Sequence, residues 1–220
     1  MQPYVEMALD QIAAQLDQVP LFGSAIDSYK HFDMYDFDVL LLLFRHMNWD
    51  RKFINLLYSL WNTQIVIDKL NASYGSPYTP SNGLAQGCTS SLVIAKLTAS
   101  IWCRALGYKC NTLSMGIFVD DRAIRSRSLL ELRNAEELTV HFDNCLGNIV
   151  NLDKSVNVST NISGRKRLRG KTVVKHKLKV VDHFKYLGYA FNTHKKCRST
   201  LANDSMRKTS KHVIVSKWHQ

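Results

Sequence analysis

Two carboxylate clusters, each at the end of an apolar run, constrain this chain more than any other feature. The run 21–26 leads into Asp27-Ser28-Tyr29-Lys30-His31-Phe32-Asp33, and Ile117-Phe118-Val119 leads into Asp120-Asp121. A carboxylate at the end of a buried strand is expensive unless a cation or hydrogen-bond donor compensates it. Two strands that deliver Asp side chains to one point form a site for a pair of hard divalent cations about 3.5–4 Å apart, suited to in-line phosphoryl transfer. An Asp-Asp pair by itself reads more simply as a turn or a solvated corner. The weight therefore falls on the two clusters together and on what lies between them.

The periodicity places both clusters at strand ends. Val5, Leu9, Ile12 and Leu16 fall at helical spacing, and Pro20 closes that helix before a short strand over 21–26. Segments 36–47 and 50–61 read as helices, the second opened by Asp50 as a cap. Residues 64–69 alternate like a strand, 74–83 form a turn-rich hairpin region, and 90–106 a long helix with Leu92, Ala95, Ala99 and Trp102 on its buried stripe. Strands 113–119 and 122–127 flank Asp120-Asp121, putting both carboxylates at a hairpin tip. Ser128-Leu129-Leu130-Glu131 is a capping box that opens a helix closed by Gly147, and short strands follow over 156–159, 172–180 and 184–191. This order describes an α+β fold, an antiparallel sheet with helices packed on one face in a ferredoxin-like layout.

The 220 residues are long enough to bury a sizeable core. No apolar run reaches the roughly 20 residues that span a bilayer, and the first residues lack the pattern of a signal peptide. Five cysteines without a C-x-x-C pair indicate neither a disulfide framework nor a zinc site, so an intracellular, reducing compartment is expected, nucleus or cytoplasm. The net charge of +11 is uneven: residues 151–220 hold 17 Lys and Arg against 3 Asp and Glu, while residues 1–150 hold 12 against 15. Arg165, Lys166, Arg167 and Arg169 head this basic stretch and are candidates to contact nucleic-acid phosphates, a solvated loop or an import signal being the plainer reading.

Between the acidic clusters stands Gly83-Leu84-Ala85-Gln86-Gly87-Cys88-Thr89-Ser90-Ser91. In order, D-x-x-x-x-F-D (Asp27, Phe32, Asp33), Q-G-C (Gln86, Gly87, Cys88) and D-D (Asp120, Asp121) resemble the palm motifs of reverse transcriptases of the non-LTR retrotransposon type. Asn151-Leu152-Asp153-Lys154-Ser155 is similar to the family's lysine-bearing segment, and Phe184-Lys185-Tyr186-Leu187-Gly188 to its primer grip, so that the resemblance covers about residues 20–191. It implies a polymerase palm that adds deoxynucleoside triphosphates to a DNA primer on an RNA template. Two Mg²⁺ ions would be held by Asp27, Asp120 and Asp121, with the Ser28 carbonyl completing one coordination shell. Phe32 would be the steric gate against a ribose 2′-hydroxyl, Gln86 and Gly87 would touch nucleotide or template, and Lys154 would donate a proton to pyrophosphate. Tyr186, Leu187 and Gly188 would form the primer grip.

The chain also departs from that pattern. Thr89 and Leu92 stand where the family has prolines after Q-G-C, and Lys96 stands near its downstream Asn. Only 26 residues precede Asp27, too few for the family's triphosphate-clamping fingers. The expected organisation is a palm over 1–191 without fingers, then a basic tail or the start of a thumb over 192–220, with fingers supplied by another chain if the site is to be complete. A catalytically inactive nucleic-acid-binding remnant of a retroelement is the alternative. An RNA-directed RNA polymerase is disfavoured by Phe32 and the Q-G-C element.

Overall fold

A computed structural model describes residues 19–170, 178–186 and 189–192, together with Glu6, Asp10 and Asp17. The helix expected over the first residues, Leu187, Gly188 and the segment 193–220 lie outside the described residues. The central sheet has five strands in the order β5-β6-β1-β8-β9. These are β1 (Phe22–Ile26), β5 (Ser114–Phe118), β6 (Asp121–Ser126), β8 (Val156–Ser159) and β9 (Lys179–Val181). Between them in sequence lie three two-residue pairing segments and β7: β2 (Ser28–Tyr29) pairs β7 (Ile149–Val150), and β3 (Lys69–Leu70) pairs β4 (Ser73–Tyr74). β10 (His183–Tyr186) and β11 (Tyr189–Asn192) form a separate hairpin.

The layout is the expected α+β arrangement, with one difference at the sheet edge. β9 runs parallel to β8, in the register Val156↔Lys179, whereas the other sheet neighbours are antiparallel. The helix Ile162–Arg169 supplies the crossover that a parallel pair requires, and its Leu168 joins the main core. Short basic strands carry no mark of orientation in their alternation, so pairing direction was not legible there.

Alternation along β1 and β6 decides what faces the helices. Phe22, Ser24 and Ile26 stand opposite Ser126, Ile124 and Arg122. All six are buried. Helix α4 (Leu129–Cys145) lies over them, and each polar member meets an acid of that helix: Ser126 meets Glu131, Ser24 meets Glu136, and Arg122 meets Asp143. The Ser128 cap accepts the Glu131 amide at 3.4 Å, while the Glu131 carboxylate accepts from Thr112 and Ser126, so the expected box closes through Ser126.

Helices α1 (Phe37–His46) and α2 (Arg51–Asn62) form a second core, with Phe37 stacked on Trp61 and Phe44 on Trp49. Asp36 and Asp50 cap them, each carboxylate accepting two backbone amides of the first turn. Helix α3 (Thr89–Lys109) lies between the two cores. Its buried residues are Ser91, Ile94, Ala95, Thr98, Trp102 and Leu106, so Leu92, expected inside, is exposed. A helix apolar on most sides carries no periodic signal for the face that its neighbours will cover.

Candidate active site

The turn that presents the second carboxylate cluster is under backbone strain. The β5–β6 register pairs Phe118 with Asp121, which leaves a two-residue loop of Val119 and Asp120. Val119 has φ 60°, the left-handed region that a β-branched side chain adopts at a cost of about 1–3 kcal/mol. A two-residue hairpin loop imposes this conformation because its twist must match the strands. Asp120 and Asp121 thus emerge at the hairpin tip, with Asp121 as the first residue of β6.

Asp27 stands between β1 and β2 and is held by its backbone. Its amide donates to Ser155 Oγ at 3.0 Å and its carbonyl accepts the Asn151 amide at 2.9 Å. The lysine-bearing segment therefore grips Asp27 from both sides, and Lys154 Nζ comes to 4.0 Å from Asp27 Oδ2. Lys154 is largely exposed, so this contact is a loose one. Asp27 Oδ2 is itself buried and has no hydrogen-bond partner among the described residues.

The carboxylates share one electrostatic field. Asp121 is pushed above the usual carboxylate range, first by desolvation and then by the charges of Asp120 and Asp27. Among the described residues no group of three or more His, Cys, Asp or Glu side chains is gathered so that it could hold a metal ion. A buried carboxylate oxygen with no hydrogen-bond donor, countered only by the loose Lys154 contact and beside two further Asp side chains, is nevertheless part of an all-oxygen donor set with excess negative charge, whose chemistry fits hard divalent cations such as Mg²⁺.

Ser28 follows Asp27 as the first residue of β2. Its residue pairs Val150 on β7, and its buried hydroxyl accepts from Arg122 Nη2 at 2.6 Å. Arg122 also makes a two-pronged ion pair with Asp143, at 2.7 and 2.6 Å, and its guanidinium lies 5.6 Å from the Trp102 ring centre. Beside it is a cavity of about 10 Å³, room for about one water, lined in part by His31, Tyr35, Val119, Arg122 and Asn148. Thr98 donates to the Ala95 carbonyl, so it accepts from the Tyr35 hydroxyl, which in turn accepts from His31 Nε2 at 3.0 Å. That chain of donors leaves His31 Nδ1 bare, and burial together with the Arg122 charge lowers the pKa of the ring.

Phe32 lies on a 3₁₀ turn, His31–Met34, half-buried against the second core and edge-on to His31. The Q-G-C loop docks on the same turn: the Leu84 amide donates to the Phe32 carbonyl at 2.6 Å and the Gly83 amide to the Tyr35 carbonyl at 2.8 Å. Gly83 is required there, since φ is +92° and a Cβ would stand 2.9 Å from the Asp33 carbonyl oxygen. Gln86 is exposed and donates to Asp33 Oδ1 at 3.3 Å, joining the second Asp of the first motif, and Gly87 has φ +84° with open space around it. Tyr186 is buried with an unpartnered hydroxyl, its pKa pushed up to about 12 by burial and then by the Asp121 charge.

Of the four basic candidates, Lys166, Arg167 and Arg169 are exposed. Arg165 is buried and donates to the Ser159 carbonyl at 3.0 Å, so its guanidinium belongs to the interior. Arg167 lies over the Phe22 ring at 5.2 Å. The sequence reading overlooked Arg122, Asp143, His31 and Val119. One signal was available for Arg122: it shares the alternation of Ile124 and Ser126, and a guanidinium on a core-facing position demands an anion.

Comparison with solved structures decides the fold. Apo telomerase from Candida tropicalis, truncated from its C-terminal domain, superposes over 88% of this chain with a TM-score of 0.58 at 14% identity. The fold is of the polymerase palm type. Telomerase from Candida albicans, in complex with a TWJ fragment of telomeric RNA, matches this palm over 85% of the chain, with a TM-score of 0.57 at 15% identity. The chain spans 39% and 33% of the lengths of those two proteins. No protein-family model and no curated protein matches its sequence. Among the described residues no helix is long and apolar enough to cross a membrane.

Proposed function

We propose that this chain is the palm of an RNA-directed DNA polymerase, of the non-LTR retrotransposon type that its motifs resemble. It adds deoxynucleotides to a primer 3′ end. The observation that carries the reading is the placement of Asp27, Asp120 and Asp121 at one end of a palm sheet, where the charges of Asp27 and Asp120 act on Asp121 and a buried Asp27 oxygen has only the loose Lys154 contact. These three side chains would hold two Mg²⁺ ions, which when bound lower the pKa of the primer hydroxyl and neutralise the triphosphate. Lys154, tethered beside Asp27, supplies a proton and a positive charge at the leaving pyrophosphate. Phe32 excludes a ribose 2′-hydroxyl, Gln86 and Gly87 line the path of nucleotide and template, and Tyr186 with its neighbours Leu187 and Gly188 seats the primer end. Lys166, Arg167 and Arg169 take up nucleic-acid phosphates.

Primer extension on an RNA template tests this reading, with the chain supplied to an extension-competent assembly. Mg²⁺-dependent extension is expected to fall at least about a thousandfold in Asp27→Asn and in Asp120→Asn, since each removes an ion ligand central to charge stabilisation. Extension that tolerates both substitutions overturns it. An assembly that binds nucleic acid with the expected salt dependence but never extends a primer favours the inactive remnant.

A further inference from the structure

The two carboxylate-bearing segments are not joined where they matter. The β1–β6 ladder ends at Ile26↔Arg122, one residue short of Asp27 and Asp121. Beyond that point the chains part: Ser28 turns to pair with Val150 of β7, and Asp120 enters the hairpin loop. The β1–β6 ladder therefore joins the two backbones only as far as Ile26 and Arg122, and beyond it Asp27 is held to Asn151 and Ser155 rather than to β6. Among the described residues one side-chain hydrogen bond crosses that gap. Arg122, the residue after Asp121, donates from Nη2 to the hydroxyl of Ser28, the residue after Asp27, at 2.6 Å.

The guanidinium that makes this bridge is itself fixed. Asp143 on α4 receives both Nη1 and Nη2, with the Arg122 and Asp143 side chains only 4% and 2% exposed, and the Trp102 ring of α3 lies alongside. Such a fork has one geometry, unlike a lysine ammonium on a flexible stem. We infer that Arg122, locked by Asp143, is a positioning residue that sets the distance between Asp27 and the Asp120-Asp121 pair through the Ser28 hydroxyl, and thereby the site's affinity for divalent cations. The inference rests on the proposed two-ion reading and adds to it a residue pair that holds the ligands in place.

Direct Mn²⁺ binding to the chain, followed by electron paramagnetic resonance, separates the two claims. Removing Arg122 strands Asp143 in the interior and endangers the fold, so the informative variant is Ser28→Ala, which leaves the ion pair intact. Ser24→Ala is its control: Ser24 is a buried hydroxyl on the neighbouring strand that donates to Glu136, away from the gap. Ser28→Ala is expected to weaken the Asp27-dependent Mn²⁺ binding by roughly tenfold, as loss of a group that orients a metal ligand commonly does. Ser24→Ala should stay within about twofold of the parent, well below that orienting effect, even where both variants melt at the same lowered temperature. Arg122→Lys, which keeps the charge and loses the fork, should weaken binding at least as much as Ser28→Ala in folded protein. Wild-type affinity in Ser28→Ala, or an equal loss in Ser24→Ala, overturns the inference while Asp27→Asn still abolishes binding. If Asp27→Asn binds Mn²⁺ like the parent, the two-ion reading fails and this inference falls with it.

Discussion

Asp121 shows how a single residue reports on its surroundings. Its raised pKa means that the folded state resists ionising it, so the stability tied to its proton is fully present below the unfolded value near 3.8 and is lost as pH rises through the folded value. Asp121→Asn mimics the protonated carboxyl. In metal-free protein it should raise the melting temperature at pH 7 and have almost no effect below pH about 2.5, where the carboxyl is protonated folded or unfolded. A melting series across that range that shows equal effects at both ends contradicts the shared field. Phe32 makes a second test at this scale. If its ring gates the sugar, Phe32→Ala in an extension-competent assembly should raise ribonucleotide incorporation by roughly tenfold or more while deoxynucleotide incorporation stays comparatively intact, the discrimination being steric. Competing incorporation of the two nucleotides on one template measures the ratio directly.

At the scale of elements, α4 is tied to the sheet by polar contacts as well as by packing. Leu132 and Ala135 give it an apolar contact, while Glu131, Glu136 and Asp143 each take a polar partner from β1 or β6. The Arg122–Asp143 pair is the most buried of these, and a buried charge left alone is costly. Asp143→Ala should destabilise the fold by about 3–5 kcal/mol, whereas the double change Arg122→Met with Asp143→Leu should recover most of that loss, since neither charge is then stranded. Urea denaturation of the three proteins checks this, and a single variant that costs less than about 1 kcal/mol would show the pair to be solvated rather than buried. The helix starts at Asp50 and Ser128 were legible locally, each residue capping the helix that its sequence context announces, and the structure adds Asp36 as a cap of the same kind. The buried face of α3 was not, because Ser91 and Thr98 point inward while Leu92 and Val93 point out.

For the whole molecule, the separation of charge along the chain is the feature most open to measurement. The excess of 17 basic over 3 acidic residues in 151–220 predicts binding to RNA or to a primer–template duplex with little sequence preference and a steep salt dependence. Folding narrows which residues contribute. Lys166 and Arg169 on the exposed side of the helix Ile162–Arg169 should each contribute about one phosphate contact, so that replacing both with Ala flattens the log–log salt slope by about 0.9 per contact on duplex DNA. Arg165→Ala should act on stability instead, because its guanidinium is buried against the Ser159 carbonyl. Fluorescence anisotropy over a salt series, paired with thermal melts, separates the two effects. Binding indifferent to salt would remove the electrostatic reading.

What the sequence determined by itself was whatever depends on neighbours within a few residues. Caps, the amphipathic helices α1 and α2, the hairpin around Asp120-Asp121, whose loop in the fold lies one residue earlier at Val119-Asp120, and the order of the acidic and Q-G-C motifs all follow from local chemistry, and with them the α+β layout. Tertiary structure decided what depends on partners far apart in the chain. The Arg122–Ser28 hydrogen bond joins residues 94 positions apart, and the grip on Asp27 by Ser155 spans 128. The parallel docking of β9, the burial of Arg165 and the polar contacts beneath the hairpin are of the same kind. A side chain's partner across the core is set by packing and by desolvation of the pair, and neither leaves a periodic trace in the linear order of residues.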